Sequence, residues 1–156
     1  MDKIPSFQKD HNILQPGLYF SMRMHGVETF DLRFKRPNAG DYILNAALHS
    51  IEHMLATILR NSPQKDSIIY FGPMGCRTGF YLLTAGLRYR DVLALLKDAL
   101  EKCLKLESVP GAERSECGNY AEHDLAGAKK ECAAYLEILN GISERMIAEE
   151  EKKESV

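Results

Sequence analysis

"LYFSMRMHGVETFDLRFK", residues 18–35, decides how the chain is read. Its second half alternates. Phe30, Leu32 and Phe34 fall on one side of an extended backbone and Asp31, Arg33 and Lys35 on the other, which is the pattern of a strand with one apolar face. The first half, "LYFSMRM", is another strand, and His25-Gly26 supplies a tight turn between the two. Strands joined so closely pair antiparallel. Further along, "SIIYF" (67–71) and "TGFYLLTA" (78–85) read as two more short strands. Helical spacing of apolar residues runs from about Asp41 to Asn61, from about Arg90 to Leu106 and from about Glu122 to Leu139, with a last helical piece beyond Asn140-Gly141. Strands and helices mix without strict alternation. The expected fold is α+β, a single-domain sandwich of a mainly antiparallel sheet packed with helices. Residues 1–16, with Pro5 and Pro16, read as an irregular arm. Residues 145–156, with the run "EEEKKES", read as a frayed tail.

At 156 residues and 17.6 kDa the chain has the size of one domain. Such a chain buries roughly 68–70% of its unfolded surface, so its core needs no disulfides. A formal net charge of -2 with 27% charged residues gives no basis for nucleic acid or an anionic membrane as partner. No basic-then-apolar start and no apolar run of about 18 residues is present, so a cytoplasmic protein is expected. Its four cysteines, Cys76, Cys103, Cys117 and Cys132, are then thiols, free to act as ligands or nucleophiles.

Chemistry concentrates in "HSIEH", residues 49–53. Residues three and four apart share a helix face, so His49, Glu52 and His53 project together. Two neutral imidazoles one turn apart can ligate one divalent metal, and the glutamate beside it can move protons. The same spacing also fits two half-exposed histidines beside an ordinary surface glutamate. Cys103 and Cys132 lie among leucines and alanines in helices and read as small packing residues. Cys76, in "GPMGCRTG", and Cys117, in "ECGN", lie in glycine-flanked loops instead. One of them can complete the metal site and leave a position open, as catalytic sites do. The other remains as acid, base or nucleophile. Arg77, next to Cys76, would favour its thiolate. His25 reads as a turn residue, His123 as a capping or structural residue near a helix start, and Phe80-Tyr81 as strand core.

Taken together, "SFQKDHN", "FDLRFKRPN", "HSIEH", "PMGCRTGFY" and "ECGNYAEHDLAGAK", in chain order from residue 6 to about residue 130, resemble the S-ribosylhomocysteine lyase (LuxS) family. The resemblance implies an α+β homodimer with its sites near the subunit interface. It implies one divalent metal per subunit, usually Fe2+, with Zn2+ or Co2+ also suited to such ligands. Carried over by motif, His49, His53 and Cys117 are the implied metal ligands, and Glu52 and Cys76 the acid/base pair. Ser6, His11 and Arg33 are implied to hold sugar hydroxyls, with the arm reaching toward the partner subunit. One position departs. The family usually has an aspartate three residues before the proline of "PMGC", near the amino-acid end of the substrate, and this chain has Tyr70. The homocysteine amino group is then held differently here, or with lower affinity.

The implied reaction cleaves a thioether without a redox cofactor. The sulfur sits on C5 of the ribose, and the C4 proton is not acidic at the start. The carbonyl must migrate from C1 to C2 and on to C3 before β-elimination can release homocysteine and dihydroxy-pentanedione, the precursor of autoinducer-2. A Lewis acid suits the oxygen charge that develops, and a thiolate and a carboxylate suit the proton transfers. Signalling and homocysteine recycling would both use the products. Two other readings stay open. A small H-x-x-E-H metallopeptidase would use Glu52 as base and a helix glutamate such as Glu131 as third ligand. A zinc-stabilised binding module would close its coordination with Cys76.

Overall fold

The computed structural model describes residues 1–156. The opening hairpin forms as the alternation requires. β1 (Gly17–Met24) pairs antiparallel with β2 (Val27–Arg33). The turn between them holds His25 and Gly26 at φ 52° and 79°, the left-handed pair that matches the strand twist. β3 (Ile68–Pro73) and β4 (Gly79–Thr84) complete a four-stranded sheet of order β1-β2-β4-β3, antiparallel throughout. Gly79 is required here, because a Cβ at this position would lie 2.3 Å from the Leu32 carbonyl oxygen on β2. It lets the loop before β4 enter close against that strand.

Leu18, Phe30, Leu32, Phe80 and Leu82 fill the inner face of the sheet. The covering helices are α2 (Asn45–Arg60), α3 (Tyr89–Leu104), α4 (Leu125–Asn140) and α5 (Glu144–Glu154); the short first helix, α1 (Pro5–Gln8), belongs to the arm. On α2 the buried residues Ala47, Ile51, Met54, Leu55 and Leu59 form one stripe, as helical spacing demands. Cys103 and Cys132 are both fully buried between α3 and α4, where the contact with Cys103 and then burial push the Cys132 thiol far above its ordinary range. They are packing residues. Two core tyrosines have their hydroxyls satisfied on β1: Tyr135 donates to the Gly17 carbonyl (2.9 Å) and Tyr89 to that of Leu18 (2.8 Å).

Three expectations need correction. The tail does not fray: α5 is capped by Ser143, and it buries Ile147, Glu150 and Glu154. Its carboxylates find backbone partners, Glu150 accepting from the Phe20 N–H (2.7 Å) and Glu154 from that of Tyr89 (2.5 Å), which the charge pattern of the run does not reveal. Next, α2 begins at Asn45, not Asp41, because Ile43 N–H is drawn to the Arg77 carbonyl (3.0 Å) of the loop before β4. Likewise α4 begins at Leu125, capped by Asp124, and leaves residues 117–124 free to fold around α2. The outer side of β2 also differs from a solvated strand face. Asp31 and Arg33 are buried, because the arm lies over them and Lys9 reaches Asp31 at 3.1 Å.

Candidate metal centre and thiol cavity

The candidate metal centre is built outward from α2. His49 and His53 stand one turn apart with ring centroids 4.7 Å from each other. Each Nδ1 meets a backbone carbonyl oxygen, His49 that of Glu122 (2.8 Å) and His53 that of Pro110 (3.0 Å). A carbonyl can only accept, so both rings carry their proton on Nδ1 and turn the Nε2 lone pair inward. The loop between α3 and α4 delivers Cys117, whose sulfur lies 3.4 Å from His49 Nε2 and accepts from the Asn119 N–H (3.4 Å). Gly111, at φ 67°, makes the turn that brings the Pro110 carbonyl to His53.

A fourth donor stands in the same cluster. His123 stacks on His49 at 4.0 Å between centroids, with Nε2 3.7 Å from the Cys117 sulfur. The sequence reading gave it a capping or structural role near a helix start, but Asp124 is the cap. Burial, and then the neighbouring His49 and His53, hold its pKa below the ordinary histidine value. Its Nδ1 faces the Ser50 hydroxyl (3.1 Å), whose oxygen already accepts from the Asp124 N–H (2.8 Å), so the hydroxyl proton is left for Nδ1 and the ring, unlike those of His49 and His53, carries its own proton on Nε2. The four donor atoms lie within 4.8 Å of one another. Donors on one tetrahedral ion with bonds of about 2.0–2.3 Å lie about 3.3–3.8 Å apart, so the set is wider than a closed four-coordinate site. Two imidazoles with fixed tautomers and a thiol are a donor set that fits a divalent metal with a position to spare.

Glu52 follows His49 on the same helix face. With His53, Arg60 and the exposed ring of Tyr70 it lines a shallow depression of about 280 Å³. Glu131, the alternative third ligand, is outside the cluster and pairs with Lys35 at 3.0 Å.

Cys76 lies elsewhere. It lines a cavity of about 460 Å³ together with Ser6, His11, Arg33, Thr78 and Tyr81, and none of the cluster residues lines that cavity. The arm therefore rests on its own chain's thiol cavity. Arg33 is almost fully buried and held by Asp31 through two hydrogen bonds of 3.1 and 2.7 Å, with Nη1 4.0 Å from the Cys76 sulfur. Arg77 is not the cation beside the thiol. Its backbone takes φ 60°, and its guanidinium lies over the Tyr42 ring and donates to the Ile43 carbonyl. Tyr81 is likewise not strand core like Phe80. It points to the outer face, where burial and then Asp31 raise its hydroxyl above the ordinary tyrosine pKa.

Both places, the cluster and the cavity, hold the residues of the motifs quoted above. The model of the S-ribosylhomocysteinase (LuxS) family matches residues 4–146. The chain belongs to this family. Among its relatives, the S-ribosylhomocysteine lyase of Borreliella afzelii (strain PKo) is 47% identical over 151 residues, which is 92% of this chain and 96% of that one. That of Phocaeicola vulgatus (strain ATCC 8482) is 46% identical over 143 residues, 87% and 89% of the two chains. That of Desulfotalea psychrophila (strain LSv54) is 42% identical over 156 residues, 95% and 98%. In this family member the quoted motifs hold residues of both places, but the sequence reading gave His123 only a capping or structural role and gave Thr78 and Asp31 none. An alternation pattern cannot tell a buried outer face from a wet one, and a histidine far along the chain carries no helical spacing to α2.

Proposed function

We propose that the protein is a metal-dependent lyase that cleaves the thioether of S-ribosylhomocysteine to homocysteine and dihydroxy-pentanedione. The observation that carries this reading is the His49/His53/Cys117 cluster, with its tautomers fixed by carbonyls, in a chain of the LuxS family. Held by His49, His53 and Cys117, a divalent metal supplies Lewis acidity to the sugar oxygens as they gain negative charge; ferrous iron is our assignment, with zinc or cobalt able to replace it. Ser6, His11 and Arg33 hold the sugar hydroxyls. Cys76 takes a proton from the carbon next to the carbonyl and returns it to the neighbouring carbon, once for each migration. Glu52 carries protons at the oxygens. In the last step Glu52 takes the C4 proton, the C5–S bond breaks with its electron pair leaving on sulfur, and the sulfur is protonated as homocysteine departs.

These roles need Cys76 and Glu52 at one sugar, yet the thiol cavity and the Glu52 depression have no lining residue in common. A homodimer, with the cavity of one copy set against the cluster of the other, brings them together. Large exposed side chains at both places, Phe7 at the cavity and Tyr70 at the depression, support such a contact. The two competing readings lose their extra ligand, since Glu131 pairs with Lys35 and Cys76 belongs to the other cavity. Four free thiols fit a reducing compartment, and we place the enzyme in the cytoplasm, where the product serves as precursor of autoinducer-2 in quorum sensing and the homocysteine returns to the methyl cycle. The test is to incubate metal-replete protein with S-ribosylhomocysteine and titrate the thiol released. Release of one thiol per substrate is expected, from a species that sediments as a dimer. No release would overturn the assignment.

A further inference from the structure

We propose that Thr78 is a positioning residue for Cys76: its hydroxyl, oriented by the buried Arg33, donates a hydrogen bond to the Cys76 sulfur and holds it as the thiolate. The direction of this hydrogen bond follows from its neighbours. Arg33 Nη1 lies 2.8 Å from Thr78 Oγ1, and a guanidinium can only donate, so the hydroxyl oxygen is the acceptor there. The hydroxyl proton is left for the other contact of Oγ1, the Cys76 sulfur at 3.1 Å. An accepted charge-assisted bond makes the hydroxyl a stronger donor in turn.

Each part of this relay is fixed. Asp31 grips Arg33 through two hydrogen bonds and is itself fully buried. The Thr78 carbonyl accepts from both the Phe34 and Lys35 N–H groups at 2.9 Å, which anchors the backbone, and the residue is 1% exposed. Cys76, by contrast, is exposed at the cavity. A buried chain of charge and hydrogen bonds thus ends on an accessible sulfur. The titratable or charged groups that line the cavity with it are Arg33 from β2, Tyr81 from β4, His11 from the arm and Tyr42 from the segment before α2. No carboxylate lines it, and Asp31 is engaged by Arg33 and Lys9. The relay gives the sulfur its closest polar contact, Thr78 Oγ1 at 3.1 Å, while Arg33 Nη1 itself stands 4.0 Å away.

The inference rests on the reading of Cys76 as the working thiol, but its test uses no substrate. The full-length, metal-replete protein is alkylated with iodoacetamide across a range of pH, and modification of the Cys76 peptide is followed by mass. Thr78→Val and Thr78→Ala should both shift the rate profile to higher pH and slow alkylation at neutral pH about tenfold, the size expected for loss of one hydrogen bond to a charged group. Thr78→Ser, which keeps the hydroxyl, should stay near the parent. If Thr78→Val does not fold, the Ala and Ser variants decide. Superposition of the Ala profile on the parent, or a shift in Thr78→Ser as large as in Thr78→Ala, would overturn the proposal. A failed thiol-release assay with these alkylation shifts intact would remove the lyase reading and leave the relay standing.

Discussion

His49 and His53 stand on one helix, one turn apart, and two carbonyl oxygens aim their rings; Cys76 stands on a loop, and a strand, an arm and a buried ion pair arrange what surrounds it. The two regions serve one proposed reaction but are built differently. The cluster takes its geometry from helical periodicity plus a returning loop. The cavity takes its geometry from the outer face of the sheet and depends on the arm to exclude water from Asp31 and Arg33. Damage should therefore divide. Changes at the cluster should cost metal, and changes at the cavity should cost thiol chemistry with the metal kept.

The sharpest way to break that comparison is to inactivate one region per chain. Cys117→Ala should lose metal and Cys76→Ala should keep it. Each should lower thiol release by about 10²–10⁴-fold or more, Cys76→Ala through loss of an acid–base group and Cys117→Ala through loss of the metal. If the site is shared between two copies, mixing and exchanging these two inactive chains restores one intact site in each mixed dimer. Ser6→Ala mixed with Cys76→Ala should restore none, since Ser6 and Cys76 line the same cavity. Recovery in the second mixture but not the first would show that the arm, and not the cavity as a whole, crosses to the partner.

A smaller effect is expected at Gly111, which touches only the cluster side. Its φ of 67° is one that L side chains rarely adopt, and an added Cβ would stand 3.3 Å from His53 Nδ1. Gly111→Ala should cost about 1–2 kcal/mol of stability. By disturbing the carbonyl that orients His53, it should weaken metal binding about 10–100-fold. Cys76 alkylation should not change. Metal titration with a competing chelator, run beside the alkylation assay, measures both. A loss of thiol reactivity without loss of metal would contradict the separation of the two regions.

What the sequence disclosed follows the same division. The spacing in "HSIEH" is a property of one helix, so His49, Glu52 and His53 were legible from three intervals along the chain. The hairpin was legible because Phe30, Leu32 and Phe34 do face the core. Alternation placed Asp31 and Arg33 opposite the apolar face but could not show that they are buried, because it reports only that two faces differ, and the docked arm makes the polar face dry. His123 was passed over for a related reason. Its place in the cluster depends on how residues 117–124 wrap α2, a long-range contact that no local period encodes. The tail read as frayed because the partners of Glu150 and Glu154 are backbone N–H groups on β1 and at the start of α3.

That tail supplies the smallest effect and the control for the others, since α5 packs on β1 and α3 and reaches neither the cluster nor the cavity. Burial outweighs the Tyr89 N–H bond at Glu154 and raises its carboxyl above the ordinary glutamate pKa. Between that ordinary value and the raised one the folded chain holds more protons than the unfolded chain, so stability falls as pH rises through the window. Glu154→Gln keeps a carbonyl oxygen for Tyr89 and removes the titration. Melting temperature against pH should slope downward across the window in the parent relative to the variant, and the two curves should run parallel well above it. Metal content and Cys76 alkylation should match in both proteins. Parallel curves across the whole range would show that burial does not set the proton affinity of Glu154. A change in metal content would show that α5 is coupled to the cluster through α3 and α4, and that the two regions are less independent than their separate lining residues imply.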